Sequence, residues 1–350
     1  MPERPLKIGK IELKNRIVVP PMVCFAWAGD DGMMTEKHLR HYEELGRGGA
    51  GLVIVEATAI SPRGRLHSTE LGLWDDAQIP GMRRVAETIH AGGARAFIQL
   101  VHAGGNGIDP EADAPSTMPY RPGVCGVEMT QEAIDRVQDA FVAASLRAKA
   151  AGFDGVEIHG CHSYLLSCFF STKKNLRTDA YGRDRALMAR QVLEKVRAAC
   201  GEDYMVGIRL AAFEPTLEDG LRNAKAIADV TDFLDISYGA ECAPEKPEGF
   251  PCSAAVYGAM RIKQALPDVP VFGVDGIGSR EAVEAALETG IDAADVGRAH
   301  LVDPAFAVHV LRGEKAGTCL HCQNYCRWNA GRMADEDAVC PGRVRFERAQ

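Results

Sequence analysis

The segment Ala151–Leu165, AGFDGVEIHGCHSYL, contains the local pattern that decides the fold. A helix-like stretch ends at its first glycine, and the short run Gly155–His159 that follows has the length and composition of a β-strand. Polar side chains come directly after that run. A strand with polar residues at its carboxyl end, between two helix-like stretches, predicts one βα unit of a parallel sheet.

The same unit occurs eight times along the chain. This repetition predicts an α/β protein with a (β/α)8 TIM barrel. An open doubly wound sheet is the alternative, but Pro20-Pro21-Met22 after the first strand is not the glycine-rich turn that such a sheet favours. The predicted strands are Ile17–Pro20, Gly51–Ala57, Ala96–Val101, Gly155–His159, Met205–Leu210, Phe233–Ser237, Val269–Val274 and Ala294–Gly297. The predicted helices are Thr35–Gly49, Met82–Ala91, Thr130–Ala151, Arg185–Ala199, Leu221–Val230, Ala254–Ala265, Ser279–Glu288 and Pro304–Leu311, with Thr130 and Ser279 as N-caps.

Two segments lie outside the repeated units. Residues 6–14, LKIGKIELK, predict a small hairpin that caps the floor of the barrel. After Gly313 the repeats end and a cysteine-rich stretch begins. We therefore expect a barrel domain over residues 1–313 and a cysteine-rich extension over residues 314–350.

Composition narrows the class of protein. The chain is 46% hydrophobic with a formal net charge of −8, which argues against nucleic acid or an acidic membrane as the main partner. The sequence contains no signal-peptide pattern and no apolar window of membrane-spanning length, so it predicts a cytoplasmic protein. In such a reducing compartment the eleven cysteines are expected as free thiols or metal ligands. The sequence does not give the oligomeric state, and a homo-oligomer stays open.

Four cysteines near the C-terminus have the spacing of a metal centre. Cys319, Cys322, Cys326 and Cys340 are separated by two, three and thirteen residues. They can bind an iron–sulfur cluster, a structural zinc ion or, in an oxidising compartment, form disulfides. Structural zinc sites with four cysteine ligands usually use two close pairs, so the compact triplet with a distant fourth cysteine favours the cluster.

The fourth predicted strand ends in a group of catalytic residue types. His159 and His162 can donate hydrogen bonds to a developing oxyanion, and Tyr164 can supply a proton. A pair of structural, hydrogen-bonded histidines is the alternative. A metal site at the two histidines is less favoured, because no carboxylate has an obvious ligand spacing.

Other strand ends predict an anion site. Arg209 leaves the fifth strand and needs an anionic ligand or an internal partner such as Glu157. Loops after strands seven and eight commonly bind phosphate in such barrels. Here they carry Asp275-Gly276-Ile277-Gly278-Ser279 and Gly297-Arg298, in which glycine amides and the arginine can contact a phosphate.

With these motifs the chain resembles the old yellow enzyme family of FMN-dependent ene-reductases. The likeness covers nearly the whole chain, and the cysteine segment narrows it to the iron–sulfur branch that includes 2,4-dienoyl-CoA reductase, bile-acid and enoate reductases, and the trimethylamine dehydrogenase type. The matching stretches are Leu13–Ile17, Pro20–Met22, Val55–Thr58, Gln99–Gly104, Ala151–Leu165, Asn175–Gly182, Arg209, Gly276 and Gly297–Pro304.

This resemblance implies residue roles and a reaction. FMN would be held by Pro21, Met22, Ala57, Gln99, Arg209, Gly276, Gly278, Gly297 and Arg298. His159 and His162 would bind the carbonyl oxygen of an enone, enoate or enoyl thioester, and Tyr164 would protonate the α-carbon after hydride from flavin N5 reaches the β-carbon. Cys319, Cys322, Cys326 and Cys340 would hold a [4Fe–4S] cluster that relays electrons to FMN.

Two further functions stay open at this point. One is a flavin-dependent dehydrogenase of the amine-dehydrogenase type, and the other is a non-catalytic electron-transfer or scaffold subunit with zinc at the cysteines. NAD(P)H is an expected electron donor. Relatives in the branch continue into a reductase domain, whereas this chain stops ten residues after Cys340, so a separate reductase is an expected partner.

Two long segments are expected to shape a substrate pocket. Gly104–Met129 and Gly239–Pro251 are rich in Gly and Pro and are interpreted as loops that act as lids. Candidate lining residues are Phe25, Trp27 and Tyr120, although these aromatic side chains could simply pack. Lys246 and Arg121 could meet an anionic substrate tail or remain solvated.

Overall fold

The structure, a computed structural model, describes residues 1–24, 26–240, 242, 244–322, 326, 328 and 340–349. Phe25, parts of the predicted lid Gly239–Pro251 and much of the predicted extension 314–350 lie outside these residues. The strands are β1 (Leu6–Ile8), β2 (Ile11–Leu13), β3 (Ile17–Val19), β4 (Leu52–Ala59), β5 (Arg95–Val101), β6 (Glu111–Ala114), β7 (Met118–Arg121), β8 (Val124–Glu128), β9 (Gly155–Gly160), β10 (Met205–Ala211), β11 (Leu234–Ser237), β12 (Val271–Val274) and β13 (Ala293–Asp295).

The helices lie between and after these strands. They are α1 (Glu36–Arg47), α2 (Ile79–Ala91), α3 (Gln131–Ala151), α4 (Leu165–Phe170), α5 (Ala180–Arg183), α6 (Leu187–Cys200), α7 (Leu217–Ile227), α8 (Ala254–Ala265), α9 (Arg280–Glu288), α10 (Arg298–Val302), α11 (Phe306–Arg312) and α12 (Pro341–Glu347). Short 3-10 turns cover Asp76–Gln78, Gly104–Asn106 and Ala228–Val230.

Eight parallel strands close into a barrel, which confirms the predicted (β/α)8 fold. Their order around the barrel is β3, β4, β5, β9, β10, β11, β12 and β13, and β13 pairs with β3 through Ala294 and Ile17. Helices cover the outer face of the strands, so both faces are buried and the strand sequences are apolar runs. The carboxyl ends of all eight strands therefore point to one rim.

Helix starts follow their capping residues. Thr130 accepts a hydrogen bond from the backbone nitrogen of Ala133, and Ser279 accepts one from that of Ala282, which confirms both predicted N-caps. Helix α7 begins at Leu217, four residues before the predicted start, because Thr216 forms a capping box at that point. The last strand ends at Asp295 rather than Gly297, since Gly297 already precedes α10.

The predicted hairpin at the floor of the barrel is confirmed. Strands β1 and β2 pair antiparallel, and Leu6, Ile8 and Leu13 belong to the buried apolar cluster of the barrel interior. In that cluster Phe233 stacks on Phe97 at 5.4 Å and on Phe272 at 5.1 Å between ring centroids. The floor is thus sealed by apolar contacts, and polar chemistry is confined to the opposite rim.

The interpretation of Gly104–Met129 as a long loop is wrong. The segment contains β6, β7 and β8, which form a separate three-stranded sheet with β8 in the centre. Its strands have only four or five residues each and are interrupted by prolines and glycines, so their alternation is too short to recognise in the sequence. Arg177 fixes this sheet through hydrogen bonds to the carbonyls of Pro115 and Met129.

The chain after the barrel packs back against it, through contacts with Asp303 and with helix α1. The Asp303 carboxylate accepts a hydrogen bond from the backbone nitrogen of Gly317 at 3.0 Å. Arg343 of α12 forms a two-point ion pair with Glu44 of α1 at 2.9 and 3.0 Å. Within the part of the chain that the structure describes, none of the helices combines the length and the apolar character that crossing a bilayer requires.

Candidate active site

A cavity of about 430 Å³ opens at the carboxyl ends of the barrel strands. Its walls come from the first strand end, from β10 and β11, from the loops after β12 and β13, and from the chain that follows the barrel. The predicted site residues that line it are Pro21, Met22, His162, Arg209, Gly276, Gly278, Gly297, Arg298 and Cys319.

Four other predicted residues lie around this cavity without lining it. Gln99 is buried in β5, where its amide donates a 2.6 Å hydrogen bond to Oε1 of Glu157. Ala57 is buried in β4. His159 is the next-to-last residue of β9, the fourth barrel strand, and Tyr164 directly precedes α4. Both contact His162, which does line the cavity.

His159, His162 and Tyr164 form one aromatic group. The ring of His159 lies 5.2 Å from that of His162 and 4.8 Å from that of Tyr164, in edge-to-face arrangements. Nδ1 of His162 lies 3.4 Å from Nε2 of His159, and Nε2 of His162 lies 3.0 Å from the Ser237 hydroxyl. The turn that makes this contact has left-handed φ values of 60° at His162 and 55° at Ser163. Such a conformation at consecutive non-glycine residues is uncommon and is typical of functional sites.

The electrostatics of the group keep it neutral. Burial, and then the neighbouring His162, lower the pKa of His159 well below its ordinary value. Burial, and then the charge of Arg209, lower the pKa of His162 to about 3. Burial, and then Glu70, raise the pKa of Tyr164. At neutral pH the site therefore presents neutral imidazoles and a phenol that keeps its proton.

Arg209 lies in a ring of buried carboxyl groups. Its Nη1 is 2.7 Å from Oδ2 of Asp235, so Asp235 rather than the suggested Glu157 is its ion-pair partner. Glu157 and Asp295 are also fully buried nearby, and burial followed by the charge of Asp235 raises the pKa of both well above the usual range.

These carboxyl groups share protons. Among the described residues, one oxygen of Glu157, one of Asp235 and both of Asp295 are buried without a recorded hydrogen-bond partner. Three negative charges beside one guanidinium would be strongly unfavourable. We therefore assign a proton each to Glu157 and Asp295, whose pKa values burial raises, and the ion pair with Arg209 to Asp235 on its 2.7 Å contact. Nε of Arg209 is likewise buried without a hydrogen-bond partner among the described residues, while other atoms of the Arg209 side chain line the cavity.

The loops after β12 and β13 have room for an anion. A Cβ placed on Gly278 would meet no atom within 4 Å, and Gly276 has a left-handed φ of 75°. Arg298 is half-exposed and lies 3.3 Å from a carboxylate oxygen of Asp275 and 3.1 Å from Nδ1 of His321. The open space, the glycines and the arginine fit a phosphate group.

The cysteine segment meets this cavity. Cys319 and His321 line it together with Thr318. Burial raises the pKa of the Cys322 thiol, and the thiols of Cys326, Cys340 and Cys319 raise it further, so these three thiols lie near Cys322. Among the described residues, however, no three of these sulfur atoms lie within 4.8 Å of one another.

The residues predicted to line a substrate pocket have other contacts. Trp27 packs against Trp328 at 5.7 Å between ring centroids, and Tyr120 lies in β7 beneath Lys174 at 4.8 Å. Lys246 donates to the carbonyls of Phe250 and Cys252 within its own loop. Arg121 donates to the carbonyl of Gly107. Lys246 and Arg121 thus bind backbone carbonyls here and are not positioned to bind an anionic substrate tail.

Several site residues were not predicted from the sequence. Asp235 and Asp295 lie inside barrel strands, where a carboxylate in an apolar run is itself a signal. Ser237 ends β11, Tyr238 follows it, and both line the cavity. Tyr238 donates a 2.8 Å hydrogen bond to Asp275. Cys161 lies between the two histidines and is fully buried.

Comparisons with known proteins agree with this geometry. A model of the NADH:flavin oxidoreductase / NADH oxidase family matches residues 4–316. An NADPH dehydrogenase of Halalkalibacterium halodurans is 40% identical over 238 residues, which cover 66% of this chain and 70% of that protein. The old yellow enzyme homologue from Zymomonas mobilis superposes with a TM-score of 0.77 and 26% identity, over 91% of this chain and 95% of that chain. A 2-naphthoyl-CoA reductase shows the same fold, with a TM-score of 0.82 and 24% identity over 89% of this chain and 52% of that chain.

Proposed function

The chain belongs to the NADH:flavin oxidoreductase / NADH oxidase family, and we propose that it reduces the C=C bond of an α,β-unsaturated carbonyl compound with FMN. The observation that carries this proposal is the group His159, His162 and Tyr164 beside the cavity that Arg209 and Arg298 line. Enones, enoates and enoyl thioesters share the carbonyl oxygen that this group can recognise.

The two histidines suit a carbonyl oxygen because they are neutral. A neutral imidazole carries one N–H, which can donate a hydrogen bond to the oxygen without leaving a buried positive charge. As the β-carbon gains hydride, negative charge develops on that oxygen. Donors that are already in place stabilise this charge more strongly than they stabilise the substrate, and this difference is what lowers the barrier.

Tyr164 is placed to complete the reaction. Bound FMN would supply hydride from its N5 to the substrate β-carbon. The α-carbon then requires a proton, and the Tyr164 phenol retains one because burial raises its pKa. Tyr164 contacts both histidines, so it lies beside the carbonyl that they would hold.

We assign FMN to the cavity at the barrel rim. Arg298 and the amides near Gly276 and Gly278 would bind its phosphate, and Arg209, which lines the cavity, would face the ring. Pro21, Met22 and Gly297 would contact the cofactor from the first and last strands. Gln99 and Ala57 do not line the cavity, so they would support the cofactor-binding residues rather than contact FMN directly.

We further assign a [4Fe–4S] cluster to Cys319, Cys322, Cys326 and Cys340. Such a cluster transfers single electrons, and Cys319 lines the same cavity as the FMN residues. Four thiolates on one zinc ion share a single centre, whereas cluster thiolates bind four separate irons and stand farther apart. The compact triplet Cys319, Cys322 and Cys326 with the distant Cys340 supports the cluster. NAD(P)H or a separate reductase would supply the electrons.

Anaerobic half-reactions test this function. The flavin is first reduced by light or by NAD(P)H, and cyclohexenone, cinnamate or crotonyl-CoA is then added. We expect at least one of these compounds to reoxidise the flavin with formation of the saturated product. A reduced flavin that none of the three reoxidises contradicts the proposal. Iron and zinc analysis of the same anaerobic preparation decides the metal: four irons per chain support the cluster, and one zinc without iron refutes it.

A further inference from the structure

Cys161 supplies a third ligand to the two histidines at the rim. One donor atom each from His159, Cys161 and His162 lies within 4.8 Å of the other two. Two imidazole nitrogens and one thiolate sulfur are the ligand types of catalytic zinc sites, which keep their fourth position open. Within the described residues, no other group of three such side chains meets this distance.

The distance between the histidines is that of two ligands on one ion. Zn–N bonds of about 2.0–2.1 Å at the tetrahedral angle place two nitrogens about 3.3–3.4 Å apart. Nε2 of His159 and Nδ1 of His162 are 3.4 Å apart. This separation is longer than the roughly 2.7–3.2 Å of a well-formed hydrogen bond, so little is lost when a metal replaces the contact.

The contacts around the site orient His162 for metal binding, whereas a hydrogen bond to His159 has to break. Ser237 engages Nε2 of His162 at 3.0 Å, which leaves Nδ1 of that ring turned toward His159. Nδ1 of His159 accepts a 3.3 Å hydrogen bond from the backbone nitrogen of Cys161. Coordination through Nε2 moves the ring proton to Nδ1 and ends that long bond, at a cost of about 1 kcal/mol.

Charge near the site permits a cation. Arg209 is the nearby positive group, and its charge is balanced by Asp235 at 2.7 Å. Both histidines are neutral at pH 7, so no imidazolium proton has to leave before they bind a metal. Burial raises the pKa of the Cys161 thiol well above its usual range, so losing its proton costs free energy that the Zn–S bond must offset. Forming that bond releases the thiol proton to the solvent, with no change in oxidation state.

We propose that His159, Cys161 and His162 form a site for Zn²⁺ that competes with the substrate carbonyl for the two histidines. The competition rests on the proposed function, but the metal site itself does not. A metal held there would fix both donors and block reduction, so the same residues would act as an inhibitory site for a thiophilic divalent cation.

Direct binding tests the site without reference to turnover. The isolated protein, with its native cofactors, is titrated with ZnCl2 by calorimetry, beside Cys161→Ala and, as a matched buried-thiol control, Cys200→Ala. We expect one site in the wild type and in Cys200→Ala that is at least about tenfold weaker in Cys161→Ala. Zinc X-ray absorption should show two nitrogens and one sulfur. Equal affinity in all three proteins overturns the proposal, and Cys161→Ser replaces Cys161→Ala if the alanine variant loses its native circular dichroism.

Inhibition kinetics test the competition. With cyclohexenone varied at several zinc concentrations, we expect zinc to raise KM and to leave kcat unchanged, and Cys161→Ala to weaken this inhibition at least about tenfold. Zinc inhibition that lowers kcat alone, or that is equal in both proteins, refutes the competition. If no enone is reduced at all, the proposed function fails, while the calorimetric result still decides the metal site.

Discussion

Replacing Asp235 by asparagine removes the charge that balances Arg209 and keeps the shape of the side chain. The two groups are 7% and 0% exposed and lie 2.7 Å apart. Breaking a buried ion pair by removing one partner usually costs about 3–5 kcal/mol. We expect the lower end, about 3 kcal/mol, because Glu157 or Asp295 can release its proton and take over part of the charge.

This free energy converts into a measurable melting shift. An unfolding entropy of about 2.1 cal/mol/K per residue gives about 0.7 kcal/mol/K for the 350 residues. Asp235→Asn should therefore lower Tm by about 4 °C in scanning calorimetry at pH 7. Asp203→Asn is the control, because Asp203 forms an exposed ion pair with Lys10 and its loss should leave Tm unchanged. If the two variants melt together, Asp235 does not balance Arg209 and the proton assignment in the carboxyl ring is wrong.

Three other changes test separate parts of the site. Tyr164→Phe should slow reoxidation of the reduced flavin by enone about 10²–10⁴-fold and leave flavin reduction unchanged, as stopped-flow measurement of the two half-reactions would show; equal loss in both would contradict a proton-donor role. Gly278→Ala should weaken FMN binding at least about tenfold in a fluorescence titration without changing the Tm of the FMN-free protein, because the added methyl meets only open space. Burial raises the pKa of Glu70 from its ordinary value to about 8, so the native state holds a proton that the unfolded chain releases near pH 4.5. Stability should therefore fall as pH rises from 5 to 8, and Glu70→Gln should flatten that fall in calorimetry; an unchanged slope would place the titrating group elsewhere.

The sequence predicts the barrel well because its signals are local. Each strand is a short apolar run, and each helix begins at a residue that can satisfy free backbone nitrogens, as Thr130 and Ser279 do. The same rule explains the error at α7, where Thr216 is an equally good cap that the prediction overlooked. Eight such units favour a closed barrel, and Pro20-Pro21-Met22 after the first strand argues against the open doubly wound alternative.

The sequence predicts the site only where its residues end a strand. His159, His162, Arg209 and Arg298 follow from that rule, and the structure brings three of them to one cavity, with His159 directly behind His162. The ion-pair partner of Arg209 cannot be predicted by that rule. Its identity depends on which neighbouring strand carries a carboxylate in register with Arg209. Asp235 is that residue, paired in register with Arg209 across β10 and β11.

The barrel interior explains how the chain tolerates so many buried ionisable groups at one end. Side chains two residues apart on a strand point to the same face, so Phe97 and Gln99 both point inward, as do Phe233 and Asp235. These two strands thus each contribute an apolar residue to the floor and a polar one to the rim. The stacked rings of the floor supply packing free energy that does not depend on the charges above it. The rim can consequently hold Arg209, three carboxyl groups and the histidine pair in a geometry that rigid strands set, so the site is preorganised before a ligand binds.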